Sequence, residues 1–166
     1  MRTDLPMEIE RKFLIAGFPD ELPELRRAVV EQGYLATDPV VRIRKTSPSQ
    51  GAPGYMLCFK GEGTLVRREI ELPLTEMVFE ELCALLKKPM IHKEFRVYAL
   101  PGGLQLECSR VSFSADGKVF WYAEVEFESI AQANAFFPPP FLLRDVTEDP
   151  SFTMRALWER MKLTNE

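Results

Sequence analysis

An excess of basic residues is missing from this sequence. Lys and Arg total 21 against 25 Asp and Glu, a formal net charge of −4. That balance argues against a nucleic-acid partner, which calls for a basic excess or patch. It leaves room for a small anionic ligand, because a local cluster can oppose the global sign. Cysteine is scarce and odd in number: Cys58, Cys83 and Cys108 lack zinc-like spacing, and each sits in an apolar stretch. Reduced, buried thiols are expected, not a disulfide framework. No apolar run is long enough to span a membrane, and the opening Met1-Arg2-Thr3-Asp4-Leu5-Pro6 has no apolar signal region. The expectation is a cytoplasmic protein with no membrane partner. Internal repeats, low-complexity segments and composition shifts are absent too. With 46% hydrophobic residues, residues 1–166 are expected to form a single domain with a sizeable core.

What is present begins at Met7-Glu8-Ile9-Glu10-Arg11-Lys12-Phe13-Leu14-Ile15. This segment, closed by Gly17, reads as a strand, whose successive side chains point to opposite faces. Spacing by two sets Glu8, Glu10 and Lys12 in one row. Two carboxylates can hold a divalent cation and the ammonium an anion, a combination suited to a metal-bound polyphosphate. For one strand alone, a solvated outer face is the commoner explanation.

Beyond it, apolar residues at Leu22, Leu25, Val29 and Val30 predict a short amphipathic helix over Phe18–Val30. Strands follow at Gly33–Leu35, Val40–Lys45, Gly54–Lys60 and Leu65–Leu72, with a hairpin loop at Ser47–Gly54. Thr75–Lys87 reads as a second helix, N-capped by Thr75, with Met77, Val78, Leu82, Leu85 and Leu86 on its buried side and Lys87-Lys88 at its cationic end. Strands resume at Met90–Leu100, Leu104–Arg110 and Val119–Phe127, with turns at Pro101–Gly103 and Ala115–Lys118. Ile130–Phe137 is a third helix, cut off by Pro138-Pro139-Pro140, and Ser151–Met161 is a fourth. Many strands on hairpin-length connections make antiparallel α+β the natural class.

On strand after strand, one alternate face is charged. Arg42 and Arg44 share a face, Lys60 lies in line with Cys58, and Arg67, Glu69 and Glu71 form a row. Glu107 alternates with Leu106, and Glu124 and Glu126 alternate with Ala123 and Val125. An open sheet with a wet outer face would give this pattern. So would a closed sheet with the charges inside, and the segregation of sign by strand favours closure. Charges converging inside a barrel must be hydrated, cross-paired, or filled by metal and anion.

The opening Glu8-Ile9-Glu10-Arg11-Lys12 resembles the Glu-x-Glu-x-Lys signature of the CYTH family, the triphosphate tunnel metalloenzymes. The resemblance continues through Gln32-Gly33-Tyr34-Leu35, Val41-Arg42-Ile43-Arg44, Phe59-Lys60-Gly61 and Arg67-Arg68-Glu69-Ile70-Glu71. It then runs through Ile91-His92-Lys93, Ala123-Glu124-Val125-Glu126-Phe127 and Asp145-Val146-Thr147-Glu148-Asp149. It implies an eight-stranded antiparallel β-barrel with a charged interior, surrounded by a few helices, that binds a triphosphate with Mg²⁺ or Mn²⁺. By that resemblance Glu8, Glu10, Glu124 and Glu126 are metal-binding carboxylates. Lys12, Arg42, Arg44, Lys60 and Arg67 line the phosphate site, and Lys93, with Glu10, serves catalysis beside the hydrolytic water. Glu69, Glu71, Glu107 and Asp145 take supporting places, and the helix at Ser151–Leu157 closes one end. Members of the family hydrolyse inorganic, thiamine or nucleoside triphosphates, and some cyclise ATP.

The chain departs from the family pattern where Phe95, within Lys93-Glu94-Phe95-Arg96, replaces a phosphate-binding arginine. Either a bulge turns Arg96 inward or the arginine is lost, and loss is the expectation. Ser109 replaces a common acidic residue, while Arg155 offers a substitute cation. His92, Phe120, Trp121 and Tyr122 read as surface or packing residues. The expected function is metal-dependent hydrolysis of inorganic tripolyphosphate. The alternatives are a tunnel that binds polyphosphate or nucleotide without turnover, and an adenylate cyclase. The oligomeric state stays open, a homodimer included.

Overall fold

Period-two alternation governs the architecture of the computed structural model, which describes residues 7–112 and 118–161. Among these residues the chain runs β1 (Met7–Leu14), β2 (Glu24–Thr37), β3 (Val40–Pro48), β4 (Gly54–Lys60), β5 (Val66–Pro73), α1 (Glu76–Cys83), β6 (Ile91–Ala99), β7 (Gln105–Ser112), β8 (Val119–Glu126), α2 (Ile130–Ala135), β9 (Arg144–Asp145) and α3 (Met154–Arg160). All pairings are antiparallel, in the order β5-β4-β3-β2-β6-β7-β8-β1-β9. Residues Glu10–Leu14 of β1 pair with β8, while Met7–Ile9 pair with Arg68–Val66 of β5. That second pairing closes β1 through β8 into a barrel. β9 adds a two-residue strip to the same edge of β1 beyond β5. The expected turn at Ala115–Lys118, except Lys118, and the opening Met1–Pro6 lie outside the described residues.

The apolar faces are the outside of the barrel. Phe13, Leu106, Ala123 and Val125 have no exposed surface and are covered by Ala133 of α2, Phe136 and the Phe141-Leu142 segment. Each large side chain buried in this way contributes roughly 1.5–3 kcal/mol. At one end of the barrel, Tyr34, Ile91, Val111 and Tyr122 meet Met154, Leu157 and Trp158. The terminal helix α3 therefore closes that end, capped by Thr153 through its acceptance from Ala156 N at 3.1 Å.

Three expectations need correction. The segment Phe18–Val30 is not a helix: its second half opens the 14-residue strand β2, paired with β3 on one side and β6 on the other. Pro19 and Pro23 deny it helical hydrogen bonds, and Leu22 before Pro23 is biased away from helical backbone. Leu25 and Val29, which mimicked a helical stripe, lie about half exposed on the outer face. In α1, Thr75 is the N-cap, but the buried side chain is Phe79, packed 5.1 Å from the ring of Tyr55, while Met77, Val78 and Leu85 are exposed. Lys88 does not sit at the end of α1. Its ammonium donates to the carbonyls of Trp158 and Glu159 at 2.8 and 3.0 Å, tying down the last turn of α3.

Candidate active site

The inward rows meet in a cavity of about 360 Å³ beneath α3. Lys12, Arg42, Lys60, Arg67 and Lys93 face it, together with the carboxylates of Glu10 and Glu124. A chain of net negative charge thus gathers its cations around one space. The turn between β4 and β5 forms part of the rim. Gly63 there has φ +128°, and a Cβ would stand 2.0 Å from the carbonyl oxygen of Val66, so only glycine fits.

Cross-strand register explains the electrostatics. Glu8 lies opposite Arg67, which donates to it at 2.8 Å, and Lys60 stands 3.2 Å away. Burial pulls the Glu8 carboxyl upward, but Lys60 and Arg67 outweigh it and hold it at about 2. Glu10 and Glu124 form a half-buried, hydrogen-bonded pair beside Lys12. Burial, then the Glu124 charge, raises Glu10 well above the usual carboxylate range. Lys12 and the hydrogen bond from Glu10 hold Glu124 low against burial. The paired carboxylates of Glu10 and Glu124 offer oxygen donors of the kind that would suit a hard divalent cation. Glu126 lies opposite Glu10 in register but faces a second cavity, of about 730 Å³, with Glu107. Burial and the neighbouring Glu124 push Glu107 up to about 7, and Arg26 stands 3.7 Å from it.

The remaining inward charges are cross-paired. Arg44 donates to Glu71 at 3.0 Å, and Lys60 lies 3.3 Å from Glu69. The Cys58 thiol donates to Glu69 at 3.1 Å and is pushed up to about 11 by burial. Cys58, Glu69 and Glu71 bring their ligand atoms within 4.8 Å of one another, yet a protonated thiol and two paired cations already satisfy them. All three cysteines are free, as expected; Cys58 and Cys108 are buried, but Cys83 is only half-buried.

Lys93 sits deepest. Its ammonium donates to the Tyr122 hydroxyl at 3.0 Å. Burial, reinforced by Arg42, brings its pKa down to about 7. The Tyr122 ring also lies 4.0 Å from the ammonium of Lys12. Tyr122 is thus a wall of the cavity between two lysines, a place that its aromatic neighbours in the sequence concealed. Thr147 also lines the cavity, and its hydroxyl accepts from Lys12 N at 3.0 Å.

No family model matches the chain. A relative, the inorganic triphosphatase of Nitrosomonas europaea, is 37% identical over 150 residues, covering 90% of this chain and 95% of its own. The chain belongs to the CYTH family. A crystal structure of an inorganic triphosphatase has a TM-score of 0.63 at 33% identity, covering 90% of this chain and 93% of that one. A Pyrococcus horikoshii protein, with a TM-score of 0.54 and 20% identity over 76% of this chain and 83% of its own, shares the fold.

Within this CYTH barrel, β6 runs without a bulge opposite β7, so Phe95 points inward and Arg96 outward. Arg96 donates to Glu94 at 2.6 Å and lies 4.0 Å from the Phe18 ring, on the outer surface. The arginine is lost from the tunnel, as expected. Arg155 lines the cavity from α3, 43% exposed and 4.0 Å from Glu159. Asp145 stays outside, where Arg11 donates to it at 2.7 Å, and it accepts from Thr147 N at 2.9 Å. His92 is exposed, 3.7 Å from Glu31. Among the described residues, no helix is long and apolar enough to cross a membrane.

Proposed function

We propose that this protein hydrolyses a triphosphate inside its tunnel, with inorganic tripolyphosphate as the substrate and Mg²⁺ or Mn²⁺ as the cofactor. The observation that carries the reading is the cavity that sets Lys12, Arg42, Lys60, Arg67 and Lys93 against the paired carboxylates Glu10 and Glu124. Phosphoryl transfer depends on positioning and charge neutralisation, and this wall offers both. Arg42 and Arg67 match phosphate oxygens with planar forks, while Lys12 and Lys60 act as point charges. Lys93, about half protonated at pH 7, orients the attacking water from the Tyr122 side. Glu10 and Glu124 hold the metal, with Glu8 beside them. A divalent cation held there would neutralise charge on the phosphate oxygens and make the terminal phosphorus more open to attack. The inorganic triphosphatase relatives support the same substrate class. Sequestration without turnover has less support, because losing one arginine at Phe95 leaves this cationic wall intact. No feature favours cyclisation of ATP. A cytoplasmic location accords with the free thiols.

The test is phosphate release from tripolyphosphate, with and without Mg²⁺ or Mn²⁺, for wild type and Glu10→Ala. Metal-dependent release lost in the variant is the expected result. Binding without release from wild type would overturn the hydrolytic reading.

A further inference from the structure

Gln32 has no exposed surface, and among the described residues neither Oε1 nor Nε2 of its amide has a hydrogen-bond partner. Interior polar groups are nearly always paired, so an amide left unpaired inside a barrel calls for a functional explanation. Its surroundings supply one. On the inner wall Gln32 lies directly opposite Arg44 of β3, and the pairs Tyr34–Arg42 and Val30–Lys93 set Arg42 and Lys93 diagonally beside it. Diagonal neighbours on one face are within reach of long side chains. Arg42 Nε is buried and likewise has no hydrogen-bond partner among the described residues. The amide therefore stands among three cations of the tunnel without bonding to any of them, while Arg44 is drawn away to Glu71 at 3.0 Å.

We propose that Gln32 is a positioning residue of the triphosphate site, paired only when an anion occupies the tunnel. A polyphosphate competes with Glu71 for the Arg44 guanidinium. As Arg44 turns to the phosphate, the Gln32 carbonyl accepts one of its N–H groups and fixes the plane of the fork. The Gln32 amide N–H groups are then free to donate toward the anion. A neutral amide suits this task where a charge does not. A carboxylate at this position would pin Arg44 and Arg42 away from the phosphate, and an apolar side chain would leave the fork unoriented.

The inference rests on the tunnel taking a triphosphate, and the experiment separates the two. Wild type, Gln32→Met and Gln32→Glu are compared for Tm, for the Tm shift induced by tripolyphosphate, and for KM and kcat. Methionine matches the length of glutamine without its polar atoms. Gln32→Met is expected to hold or raise the ligand-free Tm while the induced shift shrinks and KM rises about tenfold, with kcat changing less. Gln32→Glu is expected to weaken binding as well, by holding Arg44. A structural role would instead lower the Tm of Gln32→Met and leave the induced shift intact, which would overturn the inference. An unchanged KM in a stable Gln32→Met would do the same. A wild type that neither shifts nor hydrolyses would overturn the proposed function itself.

Discussion

Phe95 and Ser109 stand directly opposite each other on β6 and β7, both facing into the barrel. The two departures from the CYTH pattern are therefore one exchange, an aromatic ring against a small hydroxyl that is only 2% exposed. Phe95→Arg alone would bury a cation opposite a neutral partner and is expected to lower Tm. Adding Ser109→Glu should recover most of that loss. Thermal denaturation of the wild type, both single variants and the double variant measures the coupling. Additive effects would show that the two positions are independent.

The Glu10–Glu124 pair leads to a second prediction. Glutamine at position 10 preserves the shape and the donated hydrogen bond while removing the carboxylate. Glu10→Gln should therefore keep its metal-free Tm within about 2 °C, under roughly 1 kcal/mol for a chain of this size. Metal-dependent phosphate release should fall at least about 100-fold, on the scale of losing a principal electrostatic group from a site. A large loss of Tm would show that the pair is a structural element.

Lys93 titrates near 7 in the folded protein, against 10.5 for an ordinary lysine. Between those values the unfolded chain binds more protons at this lysine, so the Lys93 contribution to stability should rise as pH increases from about 7 to 10.5 and should be flat below. A bound polyanion favours the ammonium. Triphosphate binding near neutral pH should then take up a proton, and affinity should fall as pH rises above 7. Calorimetric titrations in buffers of different ionisation enthalpy measure the uptake, which Lys93→Met should abolish. Undiminished uptake in that variant would assign the proton to another group.

Arg96 offers a control on the outer surface. Arg96→Ala breaks its contacts to Glu94 and Phe18 but touches nothing in the tunnel. Its KM for tripolyphosphate should stay within about twofold of wild type, since a remote surface change removes no ground-state binding. A tenfold rise would mean that Arg96 reaches the anion after all.

The charged rows of β1, β3, β4 and β8 were legible because strand periodicity assigns a face without knowledge of partners. Closure was only an inference, since nothing local in Met7–Ile9 says that β5 lies alongside. The helix predicted over Phe18–Val30 failed because Leu22, Leu25, Val29 and Val30 satisfy a helical spacing while both neighbours of β2 impose an extended backbone. Tyr122 and Gln32 escaped for a related reason. An aromatic residue and a neutral amide carry no charge signal, and their importance comes from what register places beside them. Asp145 illustrates the converse, a conspicuous acid whose partner, Arg11, lies on the outer face.

The joint between β1 and β5 spans three register pairs, against five between β1 and β8. Its inner side is clasped by Glu8 with Arg67 and Lys60, the very cations that a polyphosphate would claim. Barrel closure and anion capture thus draw on the same side chains. An anion arriving alone would strip Glu8 of its partners and loosen the narrowest seam of the wall, whereas an accompanying cation would give the carboxylate a new one. On the proposed function, the seam would make cofactor and substrate interdependent before any bond is broken.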